Sequence, residues 1–292
     1  MKIHNLGRFF MCNNNIAGIK KGYLNNNFKL FHIKDKINLE FDFHYHDFNK
    51  IIIFISGDVS YIIEGKSYNL KPWDILFVNN HDIHKPIVNS SQTYERIIIW
   101  INSKFLESHN YENCDLTKCF KLVDEKRLNL IRLNNDFQKE LKDLIYLLES
   151  SLNSEEFGST LLSNSLFIQL IIYLNRIHIY NKYIQDENIF KYDKEIENIL
   201  LYINQNLSED LSIGTLSQKF FISRYYLMHK FKKETGYTLH NYILSKRLFK
   251  AKELIKSGTP ITTASMQCGF NDYSSFLRSF KKTFNCSPRE LI

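Results

Sequence analysis

The sequence predicts an α+β chain of two domains. The N-terminal part reads as a β-barrel followed by helices, and the C-terminal part as an all-α tandem helix-turn-helix. Three observations predict this. Short β-branched and aromatic runs, punctuated by turn residues, fill the first hundred residues. Apolar residues switch to helical spacing from Phe137 onward. Residues 211–292 then repeat themselves at an offset of 48 to 49 residues. At 292 residues the chain is long for a single core and suits two.

The strand signals come in order. Residues 41–46 alternate apolar and polar, and residues 51–55 form a β-branched run. Residues 61–68 read as a hairpin turning at Glu64 and Gly65. Residues 75–78 and 94–100 supply further short strands. Many short strands with turns between them indicate a barrel or sandwich.

The helical part opens with Phe137, Leu141, Leu144, Ile145 and Leu148, followed by Leu162, Leu166, Leu170, Leu174 and Ile177. Two such stripes carry more apolar surface than capping one barrel requires. They serve either intradomain packing or a homodimer interface. Residues 185–188 and 191–194 are polar and read as a linker. The expected division is 1–120 barrel, 121–185 helical packing or dimerisation segment, 186–195 linker and 196–292 helical domain.

The repeat carries the most information. Leu216, Ser217, Ile222, Leu227, Phe231, Lys232, Lys233 and Gly236 are echoed by Ala264, Ser265, Phe270, Phe276, Phe280, Lys281, Lys282 and Asn285. Each set describes a short helix, a turn and a second helix. Ser212 and Ser223 stand where N-caps belong. Gly236 and Asn285 both tolerate the left-handed backbone that closes a helix. One helix over 239–256 joins the units, and its eighteen residues span roughly 27 Å. That length suits two recognition helices in successive major grooves, about 34 Å apart.

Charge supports a polyanion partner. Residues 211–292 hold 14 Lys/Arg against 4 Asp/Glu, whereas the remainder holds 24 against 27. The basic excess therefore sits wholly in the repeat. A hydrophobic content of 44% with 24% charged residues argues against disorder. The five cysteines form no C-x-x-C pair, which argues against a disulfide framework or structural zinc. No apolar run approaches the ~20 residues of a membrane span, and residues 1–10 lack a secretory pattern. The expectation is a soluble, cytoplasmic protein without membrane association.

The C-terminal residues resemble the AraC/XylS family of bacterial transcription regulators. The resemblance rests on Leu211, Ser212, Ile213, Leu216 and Ser217; on Ser223, Tyr226, Leu227, Phe231 and Gly236; and on Tyr242, Arg247, Leu248 and Ala251. It continues through Gly269, Phe270, Tyr273, Phe276, Arg278, Phe280, Ser287 and Pro288. Asn285 replaces the usual second glycine, and Ala264-Ser265 the common Ile-Ala pair. The resemblance implies double-stranded promoter DNA and RNA polymerase as partners, and activation as the outcome. It places base readers at Tyr225, Met228 and His229 in the first unit, and at Tyr273, Ser274, Leu277 and Arg278 in the second. Arg278 suits a bidentate contact with guanine. Lys232, Lys233, Lys281 and Lys282 follow one turn later and suit phosphates.

The N-terminal part resembles the cupin barrel that serves as sensor in many such regulators. The resemblance rests on His44, His46 and His84, with Gly57, Gly65 and the Lys71-Pro72-Trp73-Asp74 turn. Metal-dependent cupins place a Glu four residues after the second His, and here that position is Lys50. A cation there opposes a divalent metal, so no metal and no cofactor are expected. His44, His46, Lys50, Trp73, His84 and Trp100 are instead candidates to line a pocket for a small-molecule effector, a sugar among them. Two alternatives stay open: a metal-dependent cupin enzyme with accessory DNA binding, and an adaptor whose barrel only contacts a partner.

Overall fold

The computed structural model describes residues 19–20, 24–36, 41–126, 128–184, 190–191 and 193–291. Residues 1–10, Cys12 and the 185–188 part of the expected linker lie outside them. The chain divides into two compact units. One comprises Gly22–Asp42 and His46–Lys191; the other comprises Met1–Lys21, Phe43–Tyr45 and Tyr192–Ile292.

The strands are β1 (Ile19–Lys20), β2 (Phe28–Asp35), β3 (His44–Tyr45), β4 (Asn49–Ser56), β5 (Val59–Ile63) and β6 (Lys66–Asn69). They continue with β7 (Ile75–Val78), β8 (His84–Val88), β9 (Tyr94–Ile101), β10 (Leu130–Ile131) and β11 (Phe190–Lys191). In the barrel unit one antiparallel sheet runs β10-β7-β4-β9-β2, and β8-β5-β6-β11 run side by side in another. The β5–β6 hairpin turns at Glu64 (φ 46°) and Gly65 (φ 79°), with Ile63 opposite Lys66. Two successive positive φ values are what a type I′ turn requires. β1 and β3 pair in parallel and count with the helical unit.

The run at 51–55 does not alternate because β4 is covered on both faces. Ile51 and Ile53 join Ile75, Phe77, Ile97 and Ile99 beneath helices, whereas Ile52 joins Leu76, Tyr61, Ile63 and Tyr68 on the opposite face. The two-residue period of a strand sorts them.

Among the described residues this unit carries the helices α1 (Ser103–Glu107), α2 (Lys118–Lys126), α3 (Asn135–Leu152) and α4 (Ser159–Ile179). Asn134 caps α3 by accepting from the Phe137 amide. All five apolar residues expected on α3 lie in or against the core. On α4, Phe167, Leu170, Ile171, Leu174 and Ile177 are buried, but Leu162 is exposed. Steps of four overshoot a 3.6-residue turn, so a stripe built on them rotates out of the core at one end. β10, which pairs with β7, interrupts a stretch expected to be wholly helical.

His178 of α4 is fully buried, and neither ring nitrogen has a hydrogen-bond partner among the described residues. Burial, with a smaller contribution from the Lys126 charge, pushes its pKa down to about 4. The unfolded chain takes up that proton near pH 6.5. Stability is therefore expected to fall as the pH drops below 6.5 and to level off near 4. The total loss would be up to about 3 kcal/mol. Urea titrations at pH 7 and 4.5 test this, because the slope should disappear in His178→Phe. Equal slopes in both proteins would refute it.

The helical unit comprises α5 (Lys194–Gln205), α6 (Ile213–Lys219), α7 (Arg224–Thr235), α8 (Leu239–Lys256), α9 (Ile261–Gln267) and α10 (Tyr273–Phe284). A 3-10 turn at Pro288–Leu291 follows. The connecting helix has the bounds its sequence predicts. Leu248, Ala251 and Ile255 of α8 form one core with Ala264, Cys268, Phe276 and Phe280 of the second helix pair.

Candidate nucleic-acid interface and barrel cluster

The first helix-turn-helix is α6–α7. Ser212 caps α6 by accepting from the Thr215 amide, and Ser223 caps α7 by accepting from the Tyr226 amide. Leu216, Leu227 and Phe231 form its buried inner face. Gly236 closes α7 with φ 76°. The second unit, α9–α10, repeats the plan with Asp272 as cap, accepting from the Ser274 and Ser275 amides. Asn285 closes α10 with φ 55°, so it performs the conformational task of the missing glycine. Ser217 and Ser265 are both buried, consistent with small residues at helix crossings.

The turns carry a feature that the sequence pattern does not predict. Phe221 has φ 55° and is 95% exposed, at the position that Gly269 (φ 78°) fills in the second unit. The 48-residue offset aligns the two and was the signal available. A β-carbon on Gly269 would lie 2.5 Å from the Leu207 carbonyl oxygen and 2.8 Å from Arg247 Nη2. Arg247 of α8 donates from Nε to that same carbonyl (2.8 Å) and from Nη2 to the Glu209 carbonyl (2.6 Å). Arg247 thus ties the loop before the first unit to α8, and the Gly269 turn packs closely against both.

The outward positions differ in chemistry. Tyr225, Met228 and His229 on α7 are exposed, and the Tyr225 and His229 rings lie 4.2 Å apart. Tyr273, Ser274 and Arg278 on α10 are exposed, with Arg278 Nη2 3.9 Å from the Asp272 carboxylate. Lys232, Lys233, Lys281 and Lys282 lie one turn later, and all four are exposed. Leu277, expected among the readers, is half-buried against the second core, because it lies one turn from Phe280 on the edge of the inner stripe. Lys230 turns away toward α5, with Nζ 2.8 Å from Asp193 and 3.0 Å from Glu195. Its bonds to Asp193, the Tyr226 hydroxyl and Glu195 hold its pKa above the ordinary lysine value.

In the barrel unit the expected ligand residues separate into two places. Lys50 shares a face of β4 with Ile52 and stands opposite Trp100 of β9. Its Nζ lies 2.7 Å from His84 Nε2. His84 Nδ1 is 2.8 Å from the Asp82 carbonyl oxygen, an acceptor only, so Nδ1 carries the proton and Nε2 accepts from Lys50. His46 lies edge-on to His84 (4.8 Å) and stacks on Phe48 (4.3 Å), which meets Trp100 (4.7 Å). His46 thus meets the Lys50–His84 pair on one side and, through Phe48, Trp100 on the other. Tyr61 completes the ring contacts 6.0 Å from His84, and burial raises its hydroxyl pKa well above normal.

Trp73 and His44 stand apart from this cluster. Trp73 has φ 69° in the turn before β7 and packs on the helix-facing core under Lys142, whose Nζ is 4.4 Å from its ring. β3 ends at Tyr45, so His44 and His46 do not share a regular strand, and His44 counts with the helical unit. Among the described residues no three His, Cys, Asp or Glu side chains are arranged to hold a metal. The Lys50 amine occupies Nε2 of His84, the ring nitrogen that Asp82 does not engage.

Residues 30–171 match the model of an AraC-like ligand binding domain, and residues 216–292 that of a helix-turn-helix domain. The HTH-type transcriptional activator RhaS of Escherichia coli is 22% identical over 253 residues, which is 86% of this chain and 87% of RhaS. The C-terminal domain of the response regulator yesN from Fusobacterium nucleatum is 30% identical, covering 34% of this chain and 98% of that domain, with a TM-score of 0.33. ToxT of Vibrio cholerae, crystallised with an unsaturated fatty acid, is 20% identical over 92% of this chain and 96% of its own, with a TM-score of 0.38. No helix of the described residues is long and apolar enough to cross a membrane. A ligand-binding domain of the AraC type followed by paired helix-turn-helix units makes this chain a member of the AraC family of transcription regulators.

Proposed function

We propose that the protein is a cytoplasmic, non-enzymatic activator that binds promoter DNA through α7 and α10 and acts on RNA polymerase there. A small-molecule effector held by the barrel controls it. The observation that carries this reading is the pair of capped units, each with an exposed outward face followed by two lysines. Fluorescence anisotropy with synthetic duplexes tests it. Four lysine–phosphate contacts predict a slope of log affinity on log salt of about −3.6. Undetectable binding at low salt would overturn the reading, as would a slope near zero.

Arg278→Ala should cost about 1–3 kcal/mol on a preferred duplex and remove discrimination at one G·C pair. Lys281→Ala should weaken all duplexes alike and shallow the slope by about 1. Titrations on matched and mismatched duplexes separate the two behaviours.

The effector reading rests on the cluster of His46, Lys50, His84 and Trp100, whose hydrogen-bonding groups beside aromatic faces suit a sugar or a metabolite of similar polarity. Thermal shifts with a sugar and metabolite panel, read beside Trp emission, test it. Dimerisation is assigned to α3 and α4, where Tyr146, Leu147, Leu161 and Leu162 are exposed. Sedimentation of the full chain checks that assignment.

A further inference from the structure

The two recognition helices carry different chemistry at equivalent positions. Counted from the caps Ser223 and Asp272, His229 corresponds to Arg278, Met228 to Leu277 and Tyr225 to Ser274. The second helix therefore presents a guanidinium to the groove. The first presents a phenol ring 69% exposed, a thioether side chain 41% exposed and an imidazole. Of its other cations, Arg224 is exposed and lies beside α6, and Lys230 is diverted. The Arg224 guanidinium lies over Gly214 of α6, about where a β-carbon there would touch it, at 3.2 Å. Lys230 is held by Asp193 and Glu195. Lys232 and Lys233 come a turn later, at the height of the phosphates.

An exposed ring and thioether side by side have one apolar partner in the major groove. The base edges there offer acceptors and donors, and the single hydrocarbon group is the thymine 5-methyl. The Tyr225 ring is steadied against His229 at 4.2 Å, so it meets the groove with little freedom left to lose.

Resting on the proposed DNA binding, we propose that Tyr225 and Met228 read thymine methyl groups, so that the operator has two chemically unlike halves. One half is specified by thymines under α7, and the other by guanine under Arg278 of α10. Burying a methyl group corresponds to about a fourfold change in affinity.

The test uses the full chain and a randomised duplex pool. The enriched duplex is resynthesised with deoxyuridine in place of thymidine, one position at a time. Uracil keeps every hydrogen-bonding group and lacks only the methyl. In one half-site, each critical replacement should weaken wild-type binding about fourfold, whereas replacements elsewhere leave it unchanged. In Tyr225→Ser and Met228→Ser, thymine and uracil duplexes should bind alike, with the salt slope intact. Both side chains are exposed, and helical content by circular dichroism verifies that the variants fold. Equal binding of both duplexes by the wild type overturns the inference and leaves DNA binding standing. Undiminished sensitivity in both variants overturns the assignment to these residues. Failure to enrich any duplex overturns the DNA-binding reading itself.

Discussion

Arg132→Ala is expected to lower the unfolding free energy of the barrel unit by about 3–5 kcal/mol. Arg132, just after β10, donates from Nε to Asp74 Oδ1 (2.9 Å) and from Nη2 to Oδ2 (2.7 Å). Asp74 is fully buried and also accepts from the Lys71 amide at 2.8 Å. Removing the guanidinium strands a carboxylate in the interior, and that penalty exceeds what the pair contributes over an apolar replacement. Against a typical total of about 5–15 kcal/mol, such a loss decides whether the unit folds. The chain's two tryptophans, Trp73 and Trp100, both lie in this unit. Their fluorescence in urea therefore reports it alone. Asp74→Leu combined with Arg132→Met should recover much of the loss, since neither charge is then left buried. A deficit below about 1 kcal/mol for Arg132→Ala would mean that water solvates the Asp74 carboxylate, and the penalty for stranding it would not exist.

The second large effect belongs to the helical unit. Gly269→Ala places a β-carbon 2.5 Å from the Leu207 carbonyl oxygen at a backbone φ of 78°. The left-handed conformation alone costs an L-residue about 1–2 kcal/mol. The contact adds to this, because the obstructing atom is backbone and Arg247 already holds it at 2.8 Å. A combined loss of about 3 kcal/mol or more is expected, together with a DNA affinity at least tenfold weaker. Circular dichroism at 222 nm should show an early transition while the Trp transition stays in place. Phe221→Gly at the equivalent turn should move the other way. There the side chain is exposed and only the strained φ is relieved, so a gain of under about 1 kcal/mol is expected after the entropy of the added glycine. A neutral Gly269→Ala would rule out the close approach.

Much of the helical unit was legible in the sequence because its signals are local. Ser212 and Ser223 act as caps, Gly236 and Asn285 close helices in the left-handed region, and α8 spans 239–256 as its pattern predicts. Each depends on residues within one or two turns of itself. The barrel was legible as strands and turns, with the Glu64-Gly65 hairpin in place.

Which candidate residues meet was not legible, because contacts between distant segments leave no periodic trace. His46, Lys50, His84 and Trp100 come together across β4, β8 and β9, whereas Trp73 turns to the helix-facing side. The Asp74–Arg132 pair joins residues 58 apart. Lys230 is drawn to α5 by Asp193, and Leu277 is drawn inward by its place one turn from Phe280. By itself the sequence determined the two repeated units, their caps and the basic excess that suits them to DNA, since all three follow from residue type and short-range spacing. Only the tertiary structure decided which side chains stay exposed toward a base and which are buried and paired, because burial and long-range pairing depend on segments far apart in the sequence.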